Sequence, residues 1–398
     1  MITTFLPNLQ QNTGQHINSL PNPQDILLYI KEYKAYFFIV GFFYICEYLS
    51  RVTDYAKSSQ ISFFTYSEPE IDIVCEIDNT PDYILKWDIS PVIEGNVKIY
   101  SSVDPQNFDT ENGLIAECPI SDENIRIHTN PTIARKYFLL RFDDKYDRIV
   151  GTRSQQFNFV QNFRDLGGYK NYDKKRIKWG MLYRSGKIDS LDNESIQRMK
   201  NLKIKTLIDF RDSQIFTLPP SSLKLENIIH MPISLYPLDM LEEKINNHEF
   251  KRGDACVFMQ DLFIDLSKKA TTTYKSMFNQ LLMSENYPVV LTCSYGKDYT
   301  GFAVVLILSA LNIPEETILD DYLLTNQYLD KRSIDLNLVD FPLDIQEAVT
   351  ALMTADEQYL NCVFKYIKRQ YGSIQNYLEQ ELNMTPEKQK RLQEILLQ

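Results

Sequence analysis

The run Pro288-Val289-Val290-Leu291-Thr292-Cys293-Ser294-Tyr295-Gly296-Lys297-Asp298-Tyr299-Thr300-Gly301 changes character twice. Its first part, Pro288 to Thr292, is apolar and reads as a buried strand. Beyond Gly301 the residues from Phe302 to Leu311 form an apolar helix pattern. A polar loop from Cys293 to Gly301 joins the two. Strand, loop and helix in that order predict an α/β domain with a site at the carboxyl end of a central strand. In such a loop the amides of residues 294 to 299 can curl around an anion at the helix amino terminus. Gly296 permits close backbone approach, and Gly301 lets the helix pack tightly on the sheet. A cysteine at the end of a buried strand is often a plain core residue. Taken alone, Cys293 would be read that way too, although its place between a buried strand and a helix would also suit a thiolate that Thr300 hydrogen-bonds.

The surrounding sequence agrees with this reading. Lys205 to Phe210 is a second buried strand, and Asp261 to Leu282 has helical spacing. The chain from there to Gln398 is mostly helical after the loop, with Thr385-Pro386-Glu387 marking a helix start. These elements define a domain over residues 157–398, a central sheet flanked by helices.

Cys293 to Gly301 resembles, at most positions, the His-Cys-x-x-Gly-Lys-Asp-Arg-Thr-Gly loop of bacterial tyrosine phosphatases, which include dual protein and phosphoinositide phosphatases secreted by some pathogens. Further motifs are similar and come in the family's order: Asn162-Phe163-Arg164-Asp165-Leu166-Gly167-Gly168-Tyr169, Trp179-Gly180-Met181-Leu182-Tyr183-Arg184-Ser185-Gly186 and Asp209-Phe210-Arg211. Tyr371-Gly372-Ser373, Tyr377-Leu378 and Met384-Thr385-Pro386 resemble the family's terminal helices. Several motifs in order are far more specific than one. The resemblance implies that Cys293 is the nucleophile and Asp298 the general acid, with Ser294, Tyr295, Gly296, Lys297, Tyr299 and Thr300 around the phosphate. It implies a phosphorylated protein or a phosphoinositide as substrate, and no cofactor or metal.

Three positions depart from the family. The signature arginine is Tyr299, the histidine before the cysteine is Thr292, and Ile215 stands where an acid often follows the Asp-x-Arg motif. The first matters most, because a guanidinium offers a planar fork to two phosphoryl oxygens in the transition state. Losing such a donor costs about 3 to 6 kcal/mol, roughly 10²- to 10⁴-fold in rate. Loss of the histidine should leave Cys293 less ionised. Arg164, Arg184 and Arg211, with Asp165, are candidate supports for the site; the competing expectation is that the arginines hold the fold through ion pairs. The chain is thus expected to be either a phosphatase of reduced activity or a pseudophosphatase that binds phosphate without turnover.

The rest of the chain carries no comparable chemistry. A length of 398 residues suggests two domains, and 44% hydrophobic with 24% charged residues is ordinary globular composition. A formal net charge of -11 argues against broad nucleic-acid binding. Over residues 68–156, Glu70 to Ile77 alternates, with Ile71, Ile73, Cys75 and Ile77 on one face, and Leu85 to Ile89, Val97 to Tyr100 and Lys136 to Phe142 follow as strands. A small all-β sandwich is expected there, and its early Trp and late Tyr resemble a fibronectin type III or immunoglobulin-like module. The six cysteines show no metal-ligand spacing, and a Cys75 to Cys118 disulfide stays open. Residues 1–67 hold an apolar run at 35–46 suited to a secretory signal core or anchor, so export, envelope or membrane association is expected. Cys46 invites lipidation, against which bulky Ile45 counts; the competing expectation is a buried segment of a cytoplasmic protein.

Overall fold

Alternating side chains build the first part of the structure. This computed structural model describes residues 68–77, 82–128, 134–236, 244, 247, 250–330 and 341–398, and the apolar run at 35–46 lies outside them. Strand β1 (Glu70–Ile77) turns Ile71 and Cys75 inward and leaves Glu70, Asp72 and Glu76 in water. Ile77, at the strand's last residue, is 47% exposed, so the alternation loses its cover there. With β2 (Tyr83–Ser90), β3 (Asn96–Ser102), β4 (Leu114–Pro119), β5 (Asn124–Ile127), β6 (Tyr137–Phe142) and β7 (Tyr146–Gly151), it makes two antiparallel sheets, ordered β1-β2-β5 and β4-β3-β6-β7.

The sheets share one apolar core. Tyr83 meets Phe138 edge-on with ring centroids 4.9 Å apart, and Trp87 meets Phe142 at 6.0 Å. Such pairs hold two sheets in register beyond the area that they bury. The indole nitrogen of Trp87 donates to the Ile120 carbonyl at 2.8 Å, which satisfies its one polar atom. Cys75 and Cys118 are both free thiols, and burial pushes Cys75 up to about 12, in keeping with an inert core residue.

A third, five-stranded sheet carries the site. Its order is β11-β10-β12-β9-β8, from β8 (Arg164–Asp165), β9 (Leu182–Ser185), β10 (Thr206–Asp209), β11 (Asn227–His230) and β12 (Val289–Thr292). Four strands are parallel, and only β8 pairs antiparallel, at the edge. All four residues of β12 are buried, as a central parallel strand requires. Register sets Thr292 level with Asp209 of β10 and Ser185 of β9. The three chains therefore leave the sheet together, and their loops meet above it.

Helices α1 (Asn193–Asn201), α2 (Arg252–Lys269), α3 (Thr271–Leu281), α4 (Tyr299–Ala310), α5 (Glu315–Leu323), α6 (Thr325–Tyr328), α7 (Leu343–Met353), α8 (Glu357–Tyr371), α9 (Ile374–Gln380) and α10 (Pro386–Leu396) complete the domain. The helical pattern expected over Asp261 to Leu282 is two helices, broken where Ala270 leaves helical geometry at φ -101 and ψ 12. Helix α4 starts at Tyr299, inside the polar loop, and every residue from Thr300 to Ala310 is buried. A helix apolar on all sides can only be a core helix.

The two parts meet through a buried seam, and Pro69–Gln398 forms one compact unit. Trp179 packs into the core of the first part and donates from its indole nitrogen to the Ile149 carbonyl at 2.9 Å. Gly168 has φ +83, and a Cβ there would lie 2.6 Å from the Trp179 ring, which accounts for glycine at this position. Arg135, from the first part, is 5% exposed and reaches Asp165 of β8 at 2.6 Å.

Candidate functional site

The loop from Cys293 is shaped by what grips its carbonyls. Ser294 O accepts from the Lys187 amide at 3.1 Å, Tyr295 O from Asn162 Nδ2 at 2.9 Å, and Gly296 O from Arg184 Nη2 at 2.7 Å. Each outward carbonyl turns the following amide inward, so the peptides after Ser294, Tyr295 and Gly296 present N–H groups toward the loop centre. Gly296 has φ +66, and a Cβ there would stand 2.4 Å from the Ser185 carbonyl. No other residue fits so close to β9.

Cys293 lies at the base of this curl and is 5% exposed. Burial raises its thiol above the ordinary range, while the Thr300 hydroxyl and amide and the Gly296 amide pull it down; Asp298 adds to the rise. Thr300 Oγ1 is buried and has no hydrogen-bond partner among the described residues, and its nearness to the sulfur is felt in that downward pull on the thiol. Thr292 is fully buried and donates to the Gly186 carbonyl at 2.6 Å. It ties β12 to the chain leaving β9 and gives the thiol no charge.

Asp298 and Lys297 form an ion pair with each other, and Lys297 is 1% exposed. Asp298 also begins α4, its carbonyl accepting from the Phe302 amide at 2.8 Å. Tyr299 is half-buried at the first turn, and its carbonyl accepts from Tyr274 Oη at 3.0 Å. Burial, reinforced by Asp298, Cys293 and Asp212, raises its phenol well above the usual value, so the hydroxyl stays protonated. It can donate one hydrogen bond but supplies no positive charge.

The three arginines and Asp165 take structural partners. Arg211 is clamped by Asp209, by Asp189 Oδ2 at 2.8 Å and by the Thr217 carbonyl at 3.0 Å. Arg164 donates to Asn162 Oδ1 and to the Asp321 carbonyl at 2.9 Å. Arg184 donates to Asp321 Oδ2 at 2.5 Å and touches the loop from its outer side, through the Gly296 carbonyl. Asp165 accepts from Arg135, from the Gly167 amide at 2.8 Å and from the Gly180 amide at 2.9 Å, which fixes it at the seam.

Asp321 of α5 is the residue that sequence reasoning missed. It is fully buried between Arg184 and Arg164 and accepts from Tyr169 Oη at 2.9 Å. Burial alone would raise its carboxyl, but Arg184 and Arg164 override that and hold it at about 2. Burial and Arg184 lower Arg164 to about 10. Asn162, in the first motif, and Asp212, just after the Asp-x-Arg motif, were also passed over. Both sit in quoted or adjoining motif residues, whereas Asp321 lies in an ordinary acidic helix.

Residues 155–398 match the model of a tyrosine phosphatase family. A protein of Cupriavidus necator named as a tyrosine-protein phosphatase is 27% identical over 248 residues, covering 59% of this chain and 86% of that protein. The triple specificity protein phosphatase PtpB of Mycobacterium tuberculosis is 24% identical over 254 residues, covering 54% of this chain and 90% of its own. Among solved structures, the core catalytic domain of the PP-IP phosphatase SIW14 from S. cerevisiae, in complex with citrate, covers 50% of this chain and 89% of its own at 16% identity and a TM-score of 0.24.

Proposed function

The chain belongs to the tyrosine phosphatase family, and from that premise we propose that Cys293 to Thr300 binds the phosphoryl group of a phosphomonoester and hydrolyses it slowly through a phosphocysteine. One observation carries the reading: Cys293 sits at the base of a loop whose carbonyls are pulled outward by Lys187, Asn162 and Arg184. Inward amides stabilise the equatorial oxygens of a phosphoryl group, and they cost no reorganisation when charge develops there.

In this scheme the Cys293 thiol gives up its proton to solvent, and the thiolate sulfur forms a bond to phosphorus as the ester bond to the leaving oxygen breaks. Asp298, in its protonated form and so released from Lys297, gives its proton to that oxygen. Water then attacks phosphorus, Asp298 takes a proton back, and the sulfur–phosphorus bond breaks to release phosphate. Thr300 holds the departing sulfur. Lys297 contributes a point charge that Asp298 partly neutralises.

A second reading, binding without turnover, is favoured by two features of the same site. Tyr299 supplies no guanidinium, and burial keeps the Cys293 thiol protonated. The two-sheet part, in strand order β1-β2-β5 and β4-β3-β6-β7, is then a fibronectin type III-like sandwich that braces the domain and offers a docking face. The apolar run at 35–46 would bring the protein to an envelope or export route. Acid-quenching the protein with a ³²P-labelled phosphotyrosine peptide tests the scheme: label should be covalently attached to the wild type and absent from Cys293→Ser. No label in either, with peptide still bound, leaves the binding reading alone standing.

A further inference from the structure

The cations around the loop are already paired. Lys297 pairs with Asp298, Arg211 with Asp209 and Asp189, and Arg184 and Arg164 share Asp321. On the Tyr299 side the balance is different. Asp209 of β10 lies level with Thr292, the residue before Cys293, and the Phe210 amide donates to the Thr292 carbonyl at 2.9 Å, so the chain that leads on to Asp212 leaves the sheet beside the start of the loop. The Asp212 carboxylate is held by the Gln214 amide at 2.8 Å and the Ser234 hydroxyl, and among the described residues it has no ion-pair partner. The Gln214 amide and then Ser234 keep it ionised, with His230 adding to the effect, and both it and Asp298 act on the Tyr299 phenol. Where the family places a guanidinium, this chain therefore has a neutral phenol on which Asp212, without an ion-pair partner among the described residues, and Asp298, paired with Lys297, both act.

We propose that the site takes phosphomonoesters that bring their own cation, namely phosphopeptides with Arg or Lys adjoining the phosphorylated residue, and that Asp212 is the specificity-determining residue that holds that cation. This rests on the phosphate-binding reading of the loop. A cationic side chain held by Asp212 adds positive charge beside the phosphoryl oxygens, where the loop's own cation, Lys297, is already paired with Asp298. A polyphosphorylated inositol does the reverse, adding anions next to the same carboxylates in a chain of net charge -11.

Binding to Cys293→Ser, which cannot turn over, reads the preference directly. The probes are phosphotyrosine peptides of equal length with Arg/Lys or Glu flanks, and a water-soluble inositol polyphosphate. The basic peptide should bind about tenfold more tightly than the acidic one, the size expected for one added charge pair. That ratio should fall several-fold when Asp212→Asn is added, and the inositol polyphosphate should be weaker than the basic peptide. Equal binding of the two peptides, or preference for the acidic peptide or the inositol, overturns the proposal. Protection of wild-type Cys293 from iodoacetamide by inorganic phosphate separates the two levels. Protection together with indifferent peptides removes only the flanking-charge proposal. No protection and no peptide binding removes the loop reading and this proposal with it.

Discussion

Cys293 and Tyr299 decide how far the chemistry can go. A buried thiol with a raised pKa is mostly protonated near neutrality, so its reactivity should climb with pH as thiolate forms. Alkylation of Cys293 by iodoacetamide should still be rising at about pH 9, above the ordinary thiol midpoint of about 8.5. A plateau already reached at about pH 7 would mean that the loop supplies more positive potential than Thr300 and Gly296 account for. Gly296 is the second sensitive residue, since its φ of +66 and the Ser185 carbonyl, 2.4 Å from where a Cβ would lie, exclude side chains. Gly296→Ala should lower stability by about 1 to 3 kcal/mol in urea unfolding and weaken phosphate protection of Cys293. Unchanged stability would show that the loop is free to move off β9. The loop could be singled out in the sequence because it is local: the proposed nucleophile, the glycine and the proposed acid follow one another in a single run.

At the level of elements, strand β12 and helix α4 were legible from their apolar runs, but what fixes their loop was not. Asp321 comes from α5, whose acidic, partly apolar sequence is that of many surface helices. Only the fold brings it between Arg164 of β8 and Arg184 of β9. The start of α4 was placed late for a related reason: Tyr299 and Thr300 are polar in sequence but already helical, because the loop's last turn is the helix's first. Asp321→Asn leaves two buried guanidinium groups without a counter-ion and should cost about 3 to 5 kcal/mol in urea unfolding. The carboxyl is depressed in the folded state, to about 2, so its contribution is complete above the unfolded value of about 4. It is lost as pH falls through the folded value. The stability gap between wild type and Asp321→Asn should therefore narrow between about pH 4 and about pH 2; a gap independent of pH there would show that the carboxylate's charge is not what stabilises the pair.

Across the whole molecule, the sequence divides by pattern at residues 156 and 157, yet the structure joins the two parts through buried polar atoms. Arg135 lies in a segment without periodicity, and Trp179 and Asp165 lie in motifs whose obvious reading is catalytic, so the seam left no trace that alternation could report. Arg135 stacks over Tyr137 at 4.4 Å and bonds Asp165, one residue along β8 from the Arg164 that meets Asp321. The first part is thus mechanically continuous with the loop's support. Arg135→Met should lower stability by about 3 kcal/mol and change the near-ultraviolet circular dichroism of Trp179, because it leaves Asp165 buried with its amide donors alone. If the sheets of residues 69–151 then unfold in a separate transition while the rest is unaffected, the seam is an ordinary domain contact and no brace.

The most direct test of the account is steady-state hydrolysis of p-nitrophenyl phosphate by wild type, Cys293→Ser and Tyr299→Arg. Wild type should turn over slowly, Cys293→Ser not at all, and Tyr299→Arg roughly 10²- to 10⁴-fold faster than wild type, the gain that a guanidinium added to the loop would bring. Turnover that survives Cys293→Ser, or a folded Tyr299→Arg no faster than wild type, would contradict it.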